Sequence, residues 1–88
     1  MEKRIGSVLI LMASKSKAQL VNSIISNHSS IIIGRQGLPV RESESAIISL
    51  VLEGSTDQIG SLTGQLGRIS GVQVKSVVLK INDSDEQI

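Results

Sequence analysis

The sequence predicts an α+β fold, a ferredoxin-like βαββαβ two-layer sandwich in which a four-stranded antiparallel sheet carries two helices on one face. Three observations predict it. Four runs of β-branched and aliphatic residues are typical of strands, and two segments with apolar residues three and four positions apart are typical of helices. Their order is strand, helix, strand, strand, helix, strand, which is the split βαβ arrangement. The first and third strands, which this topology places at the centre of the sheet, have the most continuous apolar runs.

The first strand is expected to run from Arg4 to Met12 and to be apolar on both faces. Successive side chains of a strand point to opposite faces of the sheet. One face therefore carries Ile5, Leu9 and Leu11, and the other carries Val8, Ile10 and Met12. The pattern does not decide which of these two sets lies beneath the helices.

A helix is expected from Lys17 to about Asn27, after a serine-rich turn in which Ser14 or Ser16 is the candidate N-cap. Its apolar stripe consists of Leu20, Val21, Ile24 and Ile25. His28 follows the helix, where a single histidine is expected to interact with the helix dipole or with solvent. A metal site there would need ligands from other subunits, so we expect none.

The stretch from Ser30 to Gly54 is the element around which the chain is organised. Two aliphatic arms flank a turn-rich centre, a pattern that predicts a hairpin with a longer loop. The second arm, residues 46–52, is apolar at nearly every position, so both faces of this strand should be covered. The loop gathers glycine and charged residues, namely Gly34, Arg35, Gly37, Arg41, Glu42 and Glu44.

Two interpretations of this loop remain open. In the first, Arg35 and Arg41 are solvated charges that the two glutamates balance. In the second, Gly34 and Gly37 allow backbone amides and an arginine to approach an anionic ligand. A glycine leaves the backbone accessible, and an arginine can bind a carboxylate or a phosphate through two parallel hydrogen bonds.

The second helix is expected to begin at a capping box formed by Ser55 and Gln58. Its buried stripe consists of Ile59, Leu62, Leu66 and Ile69. Three glycines, Gly60, Gly64 and Gly67, lie along a neighbouring face. They indicate either that something packs close to the helix backbone or that a poorly propagating helix is tolerated for tertiary reasons.

The last strand is expected from Val72 to Ile81, with Gly71 as a left-handed cap before it. The apolar alternation slips at residues 76–78, which predicts a β-bulge there. Residues 1–81 are thus expected to form one domain, and the polar residues 82–88 to form a disordered tail.

Composition argues against several classes of function. The 88 residues include no cysteine, which removes disulfides, thiolate metal sites and thiol catalysis. No aromatic side chain is present for bases to stack on, and the basic residues are scattered, so we expect no nucleic-acid binding. A single histidine without a matched acid, and no phosphate-binding glycine motif, predict neither an enzyme nor a bound cofactor. Apolar runs too short to span a membrane favour a cytoplasmic protein.

Two helices on one side leave the other face of the sheet bare, although both central strands are apolar on both faces. Exposing six such side chains forgoes roughly 1.5–3 kcal/mol each. The total is comparable to the ~5–15 kcal/mol that stabilises a whole domain. The sequence therefore predicts a homo-oligomer, a dimer or a tetramer, that covers this face or an edge strand. Candidate interface residues are Val8, Ile10, Ile47 and Val51.

The chain resembles the small regulators of the iron-only hydrogenase system of anaerobic bacteria in three segments, which are Ile33–Glu42, Ala46–Gly54 and Thr56–Lys75. The resemblance covers roughly residues 3–81, and it implies an ACT-like, ferredoxin-like domain that associates into dimers or tetramers. The chain is also similar to the ligand-binding half of the nickel-responsive repressor. It departs from that repressor in having His28 alone in place of several histidines and a cysteine, and in lacking the DNA-binding half.

The resemblance also implies a place for a ligand, since effectors of ACT-like assemblies bind where the first turn and helix of one chain meet a strand or loop of another. Here the expected site residues are Ser14, Lys15, Ser16, Gly34, Arg35, Gly37, Arg41 and Glu42. Hydroxyls, amides and fixed positive charge suit a small anionic metabolite. The sequence thus favours a regulatory, ligand-sensing module. The alternative is a structural protein–protein interaction module without a small ligand.

Overall fold

The sheet is antiparallel throughout and has the strand order β2-β3-β1-β4. The computed structural model describes residues 3–41 and 43–81. Its strands are β1 Arg4–Met12, β2 Ile32–Pro39, β3 Ala46–Gly54 and β4 Val72–Lys80, and its helices are α1 Ala18–Asn27 and α2 Thr56–Gly67. Short 3-10 turns at Lys15–Lys17 and Ser29–Ile31 flank α1. The predicted order of elements and the ferredoxin-like fold class are therefore confirmed. The predicted tail, residues 82–88, lies outside the described residues.

One of the two sets of alternating side chains on β1 lies beneath the helices. Val8, Ile10 and Met12 lie beneath the helices in the core, where the first two are 0% exposed. Their partners Leu50 and Ile48 on β3 are buried with them. The prediction that Val8 and Ile10 lie at a subunit interface is therefore corrected. Val8 and Ile10 lie on the face of β1 that packs against α1 and α2. Their side chains are therefore not accessible to a second chain.

The buried stripe of α1 is narrower than predicted, whereas the buried stripe of α2 is as predicted. Val21 and Ile25 of α1 are buried, whereas Leu20 is 50% exposed and does not belong to the core as expected. All four predicted core residues near α2 are buried, namely Ile59, Leu62, Leu66 and Ile69. Ser55 and Gln58 form the predicted capping box, which satisfies two backbone N–H groups at the start of α2.

The predicted bulge in β4 is wrong. β4 pairs with β1 in one continuous register, from Arg4 opposite Lys80 to Met12 opposite Val72. The irregularity lies instead in β2, between Ile32 and Gly34, where the pairing with β3 shifts. The side chains at the end of β4 therefore still point to alternate faces of the sheet. The apolar and polar residues stop alternating there because both faces of this edge strand are exposed, and no extra residue is inserted.

The glycines in the second half of the chain serve different purposes. Gly71 has a φ of +82°, in the left-handed region that the predicted cap requires. A β-carbon added at Gly60, Gly64 or Gly67 would meet no atom within 4 Å in the part of the chain that is described. The outer face of α2 is therefore open, and close packing against its backbone does not occur within residues 3–41 and 43–81.

Candidate functional site

The first turn of the chain presents two hydroxyl groups at the surface. Ser14 has an extended backbone, and its Oγ accepts a hydrogen bond from Ser16 N at 3.2 Å. The same hydroxyl donates to Ser16 Oγ at 3.2 Å. Ala13 N donates to Gly71 O at 2.8 Å, which ties the start of the turn to the beginning of β4. The turn is thus fixed by local hydrogen bonds, with the exposed Lys15 beside it.

The loop between β2 and β3 lies against this turn within the same chain. Val40 N donates to Ser45 O at 3.1 Å and closes the loop, and Ser45 N donates to Ser43 Oγ at 3.0 Å. Ser45 Oγ donates to Ala13 O at 3.4 Å, which joins the loop to the turn. Arg41 is exposed in this loop. Glu42, also predicted as a site residue, lies outside the described residues.

Arg35 projects toward the helical side of the sheet, because it lies opposite the buried Leu50 of β3. Its guanidinium donates a hydrogen bond to Asn22 Oδ1 of α1. Asn22 is six residues beyond Ser16, about 9 Å along a helix. The structure therefore brings the Ser14–Ser16 turn together with the loop, and it holds Arg35 farther along the flank of α1. Neither Asn22 nor Ser45 was predicted, since nothing local in the sequence distinguishes them from other surface residues.

Gly34 and Gly37 were expected in the loop, but they lie within β2, which continues to Pro39, and they occupy different faces of that strand. Gly34 lies opposite Val51 on the face without helices, and a β-carbon there would meet Val51 Cβ at 3.6 Å, an ordinary contact. Gly37 lies opposite Ile48, and a β-carbon there would have no neighbour within 4 Å. Open space at Gly37 leaves the backbone beside the loop accessible, whereas Gly34 contributes to the opposite surface.

Positive charge predominates around the turn and the loop. Residues 13–22 and 35–45 contain four basic side chains, Lys15, Lys17, Arg35 and Arg41, and two acidic ones, Glu42 and Glu44. In the described part of the chain, no group of three or more His, Asp or Glu side chains is placed to hold a metal ion. The chemistry available here is that of hydroxyl groups, amides and cations, which favours an oxyanion over a metal.

A second surface is the face of the sheet without helices, called here the open face. It carries the odd-numbered residues of β1, β3 and β4, and Leu38 of β2 lies on it opposite Ile47. Its exposed hydrophobic side chains are Leu9, Leu38, Val51, Val77 and Leu79. Val77 and Leu79 remain 65% and 63% exposed. Ile47, predicted at an interface, lies on this face opposite Leu11, and so does Val51, opposite Ser7.

Within the described residues, no helix is long and apolar enough to cross a membrane.

Two helices on one face of a β2-β3-β1-β4 sheet, with the first turn against the β2–β3 loop, define a ferredoxin-like domain of the ACT type. The chain belongs to the TM1266-like family, described as "Iron-only hydrogenase system regulator, putative", whose pattern matches residues 4–76. No curated protein matches the chain.

Solved structures agree with this assignment. The chain is similar to uncharacterized protein TM1266 from Thermotoga maritima, with 49% identity, a TM-score of 0.83, and coverage of 90% of this chain and 100% of that one. It is similar in fold to the ACT domain of GTP pyrophosphokinase from Chlorobium tepidum, with 15% identity, a TM-score of 0.67, and coverage of 85% and 86%. It is also similar in fold to a protein from Thermus thermophilus described as a "putative PII-like signaling protein", with 11% identity, a TM-score of 0.64 and full coverage of both chains.

Proposed function

We propose that the protein is a regulatory module of the iron-only hydrogenase system that senses a small anionic metabolite and works as a homo-oligomer. One observation carries the ligand site: the hydrogen bond from Ser45 Oγ to Ala13 O brings the hydroxyl-rich first turn and the β2–β3 loop, which contains Arg41, to the same end of the molecule. Membership of the TM1266-like family supports the regulatory role.

The proposed ligand is a carboxylate or a phosphate. Ser14 and Ser16 supply hydroxyl donors, Lys15 and Arg41 supply charge, and the open backbone at Gly37 allows close approach. A charge-assisted hydrogen bond from arginine is roughly twice as strong as a neutral one. The turn and the loop meet within one chain, and a second chain would complete the site from outside, as expected for an ACT-like assembly.

Arg35 would contribute from the side of α1. A guanidinium carries five N–H donors in a fixed plane, and Asn22 Oδ1 occupies one of them. The remaining donors are available to an anion. Because Asn22 restrains the side chain, Arg35 would lose less conformational entropy on binding than a freely rotating arginine.

The open face is the proposed surface of self-association. Four strands about 4.8 Å apart and nine residues long give a footprint of about 20 Å by 30 Å, or roughly 600 Å². Projecting side chains add to this area, which approaches the ~800 Å² that each partner buries in a standard interface. A second copy would present the same surface, so apolar side chains would meet apolar side chains on both sides.

A thermal-shift screen tests the ligand, because a compound that binds only the native state raises the melting temperature. The probes are dicarboxylates, nucleotides, amino acids and inorganic phosphate. A compound that raises the melting temperature is then titrated against Arg35→Ala and Arg41→Ala, with Lys3→Ala as the control. Lys3 is an exposed basic residue that directly precedes β1, at the opposite end of that strand from the Ser14–Ser16 turn.

We expect the first two variants to bind at least about tenfold more weakly, a loss of roughly 1.4 kcal/mol, and Lys3→Ala to bind as the wild type does. Equal binding by all three would rule out this site. If no compound binds while the protein remains oligomeric, the alternative of a structural interaction module is favoured, since a second copy can cover the exposed apolar side chains of the open face without any ligand.

A further inference from the structure

A cleft of about 320 Å³ opens at the other end of α1, between its C-terminus and the first turns of α2. Asn27, His28 and Ser30 line it on one side, and Asp57 and Ser61 line it on the other. The volume lies at the lower end of the range of small-molecule sites, and it exceeds that of a single water molecule about tenfold. The cleft is therefore large enough for a ligand of a few heavy atoms.

The polar wall of this cleft is arranged before any ligand arrives. His28 Nδ1 lies 2.8 Å from Ile24 O, and because a carbonyl oxygen only accepts, Nδ1 is the donor in this hydrogen bond. The other ring nitrogen, Nε2, forms a hydrogen bond with Ser61 Oγ across 3.1 Å. Gln65 Nε2 donates to Ser61 Oγ at 3.0 Å. The imidazole orientation is thus fixed from both sides.

The floor of the cleft is also fixed. Ile31, which is 4% exposed, lies at the bottom, and Gln58 lies beside it. Both pack on the backbone of Gly54 at the end of β3, where a β-carbon would come within 2.9 Å of Ile31 Cγ2 and 2.8 Å of Gln58 Oε1. The absence of a side chain at Gly54 is therefore what allows the floor to close against the strand.

The electrostatics of the cleft favour a cation. Asp57 is its charged lining residue, and among the described residues no basic side chain forms an ion pair with this carboxylate. Helix α1 ends at Asn27, so the negative end of its dipole opens on the cleft. At the start of α2 the N–H groups of Ser55 and Gln58 are not available to an anion, because Gln58 Oε1 accepts from Ser55 N and Ser55 Oγ accepts from Gln58 N.

We propose that this cleft binds a small organic cation, a primary amine or a guanidinium compound. The Asp57 carboxylate balances the positive charge, and the oxygen atoms of Ser61 and Ser30 accept its N–H groups. Ile31 supports the aliphatic part of the ligand. The site is separate from the anion site at the first turn, it shares no residue with it, and it has the opposite charge preference.

Amide chemical shifts of the ¹⁵N-labelled full chain test this proposal with three probes of equal length. These are 1,4-diaminobutane as the cation, 1,4-butanediol as the neutral analogue and succinate as the anion. We expect saturable shifts with the diamine, concentrated at residues 27–31 and 57–61, and affinity at least about tenfold lower for the diol. Agmatine serves as the guanidinium probe and is expected to shift the same amides.

Two pairs of variants assign the binding to side chains. Asp57→Asn should weaken diamine binding at least about tenfold, whereas Glu44→Gln, which also removes one exposed carboxylate, should leave it unchanged. Ser61→Ala should weaken it less, with Ser23→Ala on α1 as its control. The proposal is overturned if the diamine does not saturate below about 50 mM, if the three probes shift the same amides equally, or if Asp57→Asn and Glu44→Gln bind alike.

Discussion

Leu9 of β1 lies directly opposite Lys75 of β4 on the open face of the sheet. The leucine is 54% exposed, and on its other side it pairs with Ser49 of β3. An exposed apolar side chain thus lies at the centre of the uncovered sheet, beside a lysine on the edge strand.

The first prediction concerns self-association through this face. A charge at its centre, as in Leu9→Glu or Val51→Glu, should convert the oligomer into a folded monomer of 9.3 kDa, because burying an unpaired carboxylate is unfavourable. Light scattering at micromolar concentration measures the mass. Leu20→Glu is the control, since Leu20 is as exposed as Leu9 but lies on α1. A monomeric wild type, or dissociation of the control as well, would contradict the prediction.

The second prediction separates core residues of the sheet from its exposed residues. Ile10→Ala should lower the free energy of unfolding by about 2–5 kcal/mol, because it leaves a cavity among fully buried side chains. Chemical denaturation measures the loss. Ile33→Ala on β2, at a site that is 60% exposed, should cost less than about 1 kcal/mol. Comparable losses at the two positions would mean that Ile10 is not in the core.

The third prediction contrasts glycines. Gly60→Ala and Gly64→Ala should each stabilise the protein by about 0.5–1 kcal/mol, because alanine favours the helix and the added methyl group meets no neighbour within 4 Å. Gly54→Ala should destabilise it by about 1–3 kcal/mol, since its β-carbon would displace Ile31 and Gln58. Thermal denaturation gives the sign of each change. Destabilisation by the helical substitutions would indicate that another chain packs on α2.

The fourth prediction concerns the start of α2. Ser55→Ala removes the hydroxyl that accepts from Gln58 N at 3.1 Å, and it should cost about 1 kcal/mol of stability. Ser23→Ala, at an exposed position within α1, serves as the control and should change stability by less than about 0.5 kcal/mol. Equal effects of the two substitutions, measured by urea denaturation, would show that the cap does not contribute.

Local patterns in the sequence were sufficient to predict the type and order of the helices and strands. The spacing of Ile59, Leu62 and Leu66 places one face of α2 in the core, and the capping box places the first residue of the helix. The order of the strands follows from a topology that has few alternatives for this succession of elements. The bulge was misplaced because the exposed end of β4 loses its alternation without any change of register.

The candidate sites depended on contacts between residues far apart in the chain. Arg35 and Asn22 are thirteen residues apart, and His28 and Ser61 are thirty-three apart. A serine or an asparagine has no distinguishing pattern before folding brings it to its partner. The glycine at 54 looked like the end of a strand, and only packing revealed that it accommodates Ile31.

The sequence by itself determined the fold class, the limits of the helices and of β1, β3 and β4 to within a residue or two, and the excess of apolar residues in the central strands. It did not determine the extent of β2, which continues to Pro39 through residues that were expected in the loop. The tertiary structure alone decided that Val8 and Ile10 face the helices while Leu9 and Val51 remain on the open face. The physical reason is the twofold period of a strand. When both of its faces are apolar, the period divides the side chains into two sets, and only the packing of α1 and α2 selects the set that is buried.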